Sequence, residues 1–170
     1  MKKLTMIFAS LAAVLFIAAC ASKPPAGPTA AELLSSAKGN APGGALVGQA
    51  TSKGNAEQAA MLQLVRGLTY IAGEMIDEQA AAGRLTAGAA SDFKSNVNTA
   101  LTRVTIDAVK VESGAGSDGN YAVYALDKGE ALKVITKVTN AAKEVVAAGN
   151  FNLNNFDAKF NAAAMREWKN

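Results

Sequence analysis

Apolar side chains at Met61, Leu64, Val65, Leu68, Ile71, Ala72, Met75 and Ile76 recur three and four positions apart. That spacing places them on one face of a long helix. Asn55, with Gln58 three residues on, supplies the start signal, and Gly83 the stop. A second helix is predicted over Ala87–Leu101, with Ala90, Phe93, Val97, Ala100 and Leu101 as its stripe. The period then falls to two. Val104-Thr105-Ile106-Asp107 alternates, and Val109-Lys110-Val111-Glu112 alternates on the opposite parity, which predicts a bulge or bend at Ala108. Ser113–Asn120 reads as a Gly/Ser/Asp loop, and Tyr121-Ala122-Val123-Tyr124-Ala125-Leu126 as a strongly β-prone strand. Asp127 and Glu130 are spaced to cap a further helix, lined by Leu132, Ile135, Val138, Ala142, Val145 and Val146 and ended by Gly149. Ala45–Ala50 is a short strand candidate between glycines. The order is β–α–α–β–β–α: an α+β domain, a small sheet with helices packed on one face.

The ends of the chain have a different composition. Leu4–Phe16 is almost wholly apolar and follows Lys2 and Lys3, the layout of a secretory leader. The leader ends in Ile17-Ala18-Ala19-Cys20, and Cys20 is the only cysteine of the chain. An aliphatic residue, two small residues and a cysteine have the pattern of a lipobox; the alternatives are an uncleaved signal anchor, for which Leu4–Ala21 is barely long enough, and an ordinary leader with a chance cysteine. The small side chains let a peptidase reach the backbone between Ala19 and Cys20, and the thiolate takes up the lipid. Acyl chains then hold the mature product to a bilayer at about 0.8 kcal/mol per buried methylene. Ala21 and Ser22 follow where an inner-membrane lipoprotein often has Asp, which points to the outer membrane. All four prolines lie at positions 24, 25, 28 and 42. Residues 20–43 therefore read as a lipidated flexible tether, with a coil reach on the order of 25 Å. Within it Thr29-Ala30-Ala31-Glu32 has the capping-box pattern of a short, marginal helix to about Ala37. The organisation expected is a signal peptide over 1–19, the tether over 20–43, the α+β domain over 44–149 and a tail over 150–170. Phe151, Leu153, Phe156 and Phe160 of the tail are placed to pack back on the domain, with a last helix over Asp157–Trp168.

Charge and composition remove several functions. Of 17 basic side chains against 14 acidic, two belong to the leader, so the mature chain is near neutral and has no Lys/Arg stripe for nucleic acid. Lys133, Lys137 and Lys143 recur along one helix, but Glu130 and Glu144 interleave with them as on a solvated face. The chain has no histidine. With Cys20 acylated it also has no free thiol, so a Ser–His–Asp triad, thiol catalysis and a Cys/His zinc site are excluded. Carboxylate or Ser/Lys chemistry is what remains. Glu74, Asp77 and Glu78 offer a cation site or an acid/base pair, with a solvated helix end as the plainer reading. Ser113–Asn120 lacks the carboxylates of a calcium loop and opens a strand rather than a helix, so a hairpin loop is expected. Ser91 and Lys94 have Ser-x-x-Lys spacing without the accompanying elements of an acylating enzyme. Tyr121 and Tyr124 fall on opposite faces of their strand, one expected in the core and the other exposed or under a helix; an exposed tyrosine could serve a partner surface, with structural use the plainer reading. Trp168 is either a hydrophobic clasp or a second partner-facing anchor. No catalytic residue, metal or cofactor is expected.

Gly-Ala-Leu-Val-Gly-Gln-Ala at 44–50, the Ala/Leu-rich helix Ala56–Met75 and the run Gly119-Asn120-Tyr121-Ala122-Val123-Tyr124-Ala125-Leu126-Asp127 together resemble the LPP-twenty family of small outer-membrane lipoproteins. More distantly, they resemble the amino-terminal domain of the flagellar ring protein FlgT. The resemblance spans Gly44 to about Val138. It implies an envelope lipoprotein with no catalytic residues and, for some relatives, a place around flagellar basal bodies. The expectation is a non-enzymatic binding or assembly module, lipid-anchored on the periplasmic face of the outer membrane, with an envelope protein as partner. The alternatives are a flagellum-associated structural component and a periplasmic enzyme or ligand carrier using carboxylates.

Overall fold

The β-prone run at 120–126 becomes the centre of the sheet. The structure is a computed structural model that describes residues 27–145 and 151–166. Its elements are α1 (Ala30–Gly39), β1 (Leu46–Ser52), α2 (Ala56–Ala81), α3 (Ala87–Leu101), β2 (Val109–Ala115), β3 (Asn120–Leu126), α4 (Lys128–Val145) and α5 (Phe156–Ala164). The three strands pair antiparallel in the order β1-β3-β2. The mixed α+β class and the core order β–α–α–β–β–α are those the pattern predicts.

Strand alternation sends the side chains of β3 to two covers. Ala122, Tyr124 and Leu126 face α2, while Tyr121 and Val123 lie beneath α1. The second cover is an addition to the one-sided arrangement expected. The capping box at Thr29 and Glu32 is present, and α1 is no marginal turn in a tether. It buries Ala30 and Ala37 and half-buries Leu33 and Leu34 against the sheet. Residues 30–43 therefore belong to the domain.

α2 is the centre of the molecule. At 26 residues it is about 39 Å long, against about 23 Å for a seven-residue strand. Its first half lies on the sheet, and its second half runs on among α3, α4 and α5. Two close approaches seat it on β1. A Cβ on Gly48 would lie 2.2 Å from the Ala60 carbonyl oxygen, and one on Gly67 would lie 2.7 Å from Leu46. Gln63, buried, accepts a 3.0 Å hydrogen bond from the Gln49 amide on the edge strand β1. At the far end Gly83, with φ +71°, closes α2. Its amide donates to Ala80 and that of Arg84 to Gln79, a pairing that a left-handed residue permits. A Gly48→Ala variant is expected to lose about 3 kcal/mol in urea unfolding, because a backbone carbonyl cannot turn aside as a side chain can. Gly73→Ala, in open space on the same helix, is expected to gain about 1 kcal/mol.

Four local expectations are corrected. Val104–Ala108 is not strand. The register of β3 is already taken up by 109–115, with Val109 opposite Ala125, and Val104, Ile106 and Ala108 pack on the core without pairing. The irregularity lies at Val111, between Lys110 and Glu112, not at Ala108. The hairpin loop is only Gly116–Gly119, since Ser113, Gly114 and Ala115 pair with Ala122, Tyr121 and Asn120. On α4 the buried face is Ala131, Val134, Ile135, Val138 and Ala142, whereas Leu132 is 38% exposed.

The tail does pack back. Phe151, Phe156 and Phe160 are buried, and Phe151 meets the fully buried Phe93 edge-on at 4.8 Å between ring centres. α5 ends at Ala164 rather than continuing to Trp168. Trp168, Val146, Gly149 and the leader lie outside the described residues, as does Cys20, and so does the Ala19–Cys20 bond.

Candidate functional site

The start of α1 and the tip of the β2–β3 hairpin are built into each other. Thr29 is extended and accepts from the Glu32 amide at 3.3 Å, while the Glu32 carboxylate takes the Thr29 amide at 2.8 Å. The Thr29 amide, followed by its hydroxyl, holds the Glu32 carboxyl below the usual carboxylate range. The amide of Ala30, the first of the helix, donates to Asp118 Oδ1 at 2.7 Å. The amide of Ser117 donates to the Pro28 carbonyl at 2.9 Å, and Gly116 closes the loop on Gly119 at 2.7 Å. Asp118 thus satisfies a helix-start amide and adds a negative charge where the helix dipole favours one. The approach is tight enough to demand glycine: a Cβ on Gly116 would lie 2.2 Å from the Ala30 nitrogen. An open hollow of about 270 Å³ beside this junction is lined by Ala30, Ala31, Thr51, Ser52, Lys53, Asp118 and Gly119. The hairpin loop expected at 113–120 is therefore a clasp on the point where the chain from Cys20 enters the fold. Glycine and aspartate marked a turn in the sequence. Their role as a receptor for α1 was not readable, because it depends on where a segment 88 positions away comes to lie.

The two tyrosines are both drawn inward. Tyr121 is 7% exposed under α1 and donates its hydroxyl to Glu112 Oε1 at 2.7 Å. That bond, with burial, raises the phenol above its ordinary pKa. Tyr124 is half-buried against α2, with the Lys110 ammonium 5.9 Å from its ring centre. Beside it Lys110 and Ser113 both hold Glu57, at 2.6 and 2.9 Å, and keep that carboxyl low and the ammonium high.

The residues considered for chemistry are distributed over structural pairs. Glu78 takes Lys159 of α5 at 3.0 Å and also accepts from the side-chain Nδ2 of Asn155, and Glu74 lies 3.9 Å from the same ammonium. The Lys159 contact lowers the Glu78 carboxyl and raises the Lys159 ammonium. Asp77 pairs with Lys94 of α3. The acidic trio thus fastens α5 and α3 to α2, and the structure turns Lys94 to Asp77 rather than to Ser91. Among the described residues no group of three acidic, His or Cys side chains is placed to hold a metal. A small hollow of about 160 Å³ near Gln79 and Asn152 is crossed by reciprocal bonds, with Gln79 donating to the Asn152 carbonyl at 2.6 Å and accepting its amide at 2.9 Å. Among the described residues no helix is long and apolar enough to cross a membrane. No protein-family model, curated protein or solved structure matches this chain.

Proposed function

We propose that the chain is a bacterial envelope lipoprotein: a non-enzymatic binding or assembly module held at the periplasmic face of the outer membrane by acyl chains on Cys20. The observation that carries the proposal is the position of the lone cysteine, directly behind Ile17-Ala18-Ala19 at the end of an apolar leader. The resemblance of residues 44–138 to small outer-membrane lipoproteins supports the same compartment. The ion pairs of Glu74, Asp77, Glu78 and Lys94 support a binding rather than a catalytic role, since those side chains already serve packing.

The clasp at Pro28 gives the proposal a length scale. If α1 stays docked, residues 20–27 are all that joins lipid to domain, and fully extended they reach no more than about 28 Å. The hairpin tip would then ride close to the headgroups, with the far end of α2 pointing away into the compartment. Intact mass spectrometry of the product purified from its own envelope tests the anchor. The expected species begins at Cys20 and carries added acyl mass, and Cys20→Ser leaves an unprocessed chain without it. A free thiol, or a leader still attached, overturns the proposal.

A further inference from the structure

Beside the contact of α3 with α4 lies a groove of about 420 Å³, with Ala100, Val138 and Ala142 among its apolar lining and Thr99 beside them. Two cations from different elements, Arg103 after α3 and Lys137 on α4, stand on it, and among the described residues no carboxylate lines it. This is unusual for the molecule. Lys94, Lys110, Lys128, Lys133 and Lys159 each hold a carboxylate, and Lys143 and Arg166 lie over the rings of Phe151 and Tyr70. Among the described residues the basic side chains with no ionic, hydrogen-bonding or ring partner are Lys53, Arg103 and Lys137. Two of these three share one groove.

An apolar trough with two positive charges that no described carboxylate pairs, and a hydroxyl, complements a molecule with an anionic head and a short hydrocarbon body. We infer that the α3–α4 groove binds a small single-chain anionic amphiphile, its carboxylate or phosphate held between Arg103 and Lys137 and its chain laid along Ala100, Val138 and Ala142. The guanidinium offers a planar pair of donors to the head group and the ammonium a point charge. The site is independent of Cys20 and of the clasp, so its fate does not turn on the anchor.

The test is an NMR titration and calorimetry of the purified full chain with octyl phosphate, octanoate, inorganic phosphate and octanol, all below micellar concentrations. Saturable binding of octyl phosphate or octanoate is expected, with amide shifts gathered at 99–105 and 137–142 and much weaker responses to inorganic phosphate and octanol. The tighter of the two octyl anions assigns the head group, phosphate indicating a phospholipid-derived ligand and carboxylate a fatty acid. Arg103→Gln and Lys137→Gln should each weaken binding about tenfold, as loss of a hydrogen bond to a charged group does. Ala141→Glu, on the exposed rim, should abolish it while leaving the circular dichroism spectrum unchanged. Octanol binding as well as the anions, shifts scattered away from the groove, or full affinity in both charge variants would overturn the assignment.

Discussion

Phe93→Ala loses about 3–5 kcal/mol of stability, seen as a lower urea midpoint with an unchanged slope. Phe93 is 0% exposed and lies where α2, α3 and the returning tail meet. Its ring takes the edge of Phe151 at 4.8 Å and 75°, a geometry that adds to the loss of buried area. Removal leaves a cavity between helices that are fixed by other contacts. Lys94, the next residue, is tied to Asp77, and Gln79 is tied to Asn152 beside Phe151. Little collapse is therefore available to refill the space. With total stability of about 5–15 kcal/mol typical of such a domain, the variant stands near the edge of folding at 37 °C. Phe151→Leu, which keeps most of the volume, is expected to cost about 1.5 kcal/mol or less. A loss under about 1 kcal/mol for Phe93→Ala would mean that the tail is not part of the core.

Residues 151–166 were partly legible in advance. Phe151, Phe156 and Phe160 are too apolar to stay in water at an Asn-rich end, and they are buried. The partner of Phe151 was not legible, since Phe93 is 58 positions away and only the fold brings the rings together. The same division runs through the chain. Helices α2 and α3 were readable because their signals are local: Asn55 accepts from the Gln58 amide, and the turn at Gly83 closes on Ala80 and Gln79. Val104–Ala108 misled because alternation records which side chains are buried, not whether the backbone is paired. Leu132 misled because α4 packs chiefly on α3 and presents Ala131 and Ile135 to the core, one register step away. The acidic trio and the groove cations differ only in what stands opposite them. Lys159 and Lys94 meet Glu78 and Asp77, whereas Arg103 and Lys137 face no carboxylate among the described residues, and no sequence period encodes that distinction.

The junction at Pro28 is the least legible feature and, on the proposed anchor at Cys20, the one with most bearing on how the domain is held, so its disruption has the larger consequence. In Gly116→Val the new side chain would start 2.2 Å from the Ala30 nitrogen and 2.6 Å from the Thr29 carbonyl carbon. Both are backbone atoms, so either the hairpin tip or the helix must withdraw. Withdrawal breaks the Ser117–Pro28 and Ala30–Asp118 hydrogen bonds together, because both span the same gap. α1 then rests on Ala37, the half-buried Leu33 and Leu34 and the 3.4 Å bond from its C-cap Asn40 to Glu112, and a helix of ten residues has little stability of its own. Hydrogen exchange of the amides at 31–39 should accelerate at least about a hundredfold, and trypsin should cut at Lys38 under native conditions. The melting of α2–α5 should scarcely change. Asp118→Ala removes one acceptor and leaves the space, so it should cost only about 1 kcal/mol, within α1. If Cys20 carries the proposed acyl chains, the freed segment would lengthen the link from residues 20–27 to residues 20–44, raising the maximum reach from about 28 Å to about 85 Å. The clasp would then be the element that fixes how far the domain stands from its bilayer. Unchanged protection at 31–39 in Gly116→Val would show that the helix is held by the sheet alone and that the hairpin tip has no part in setting that distance.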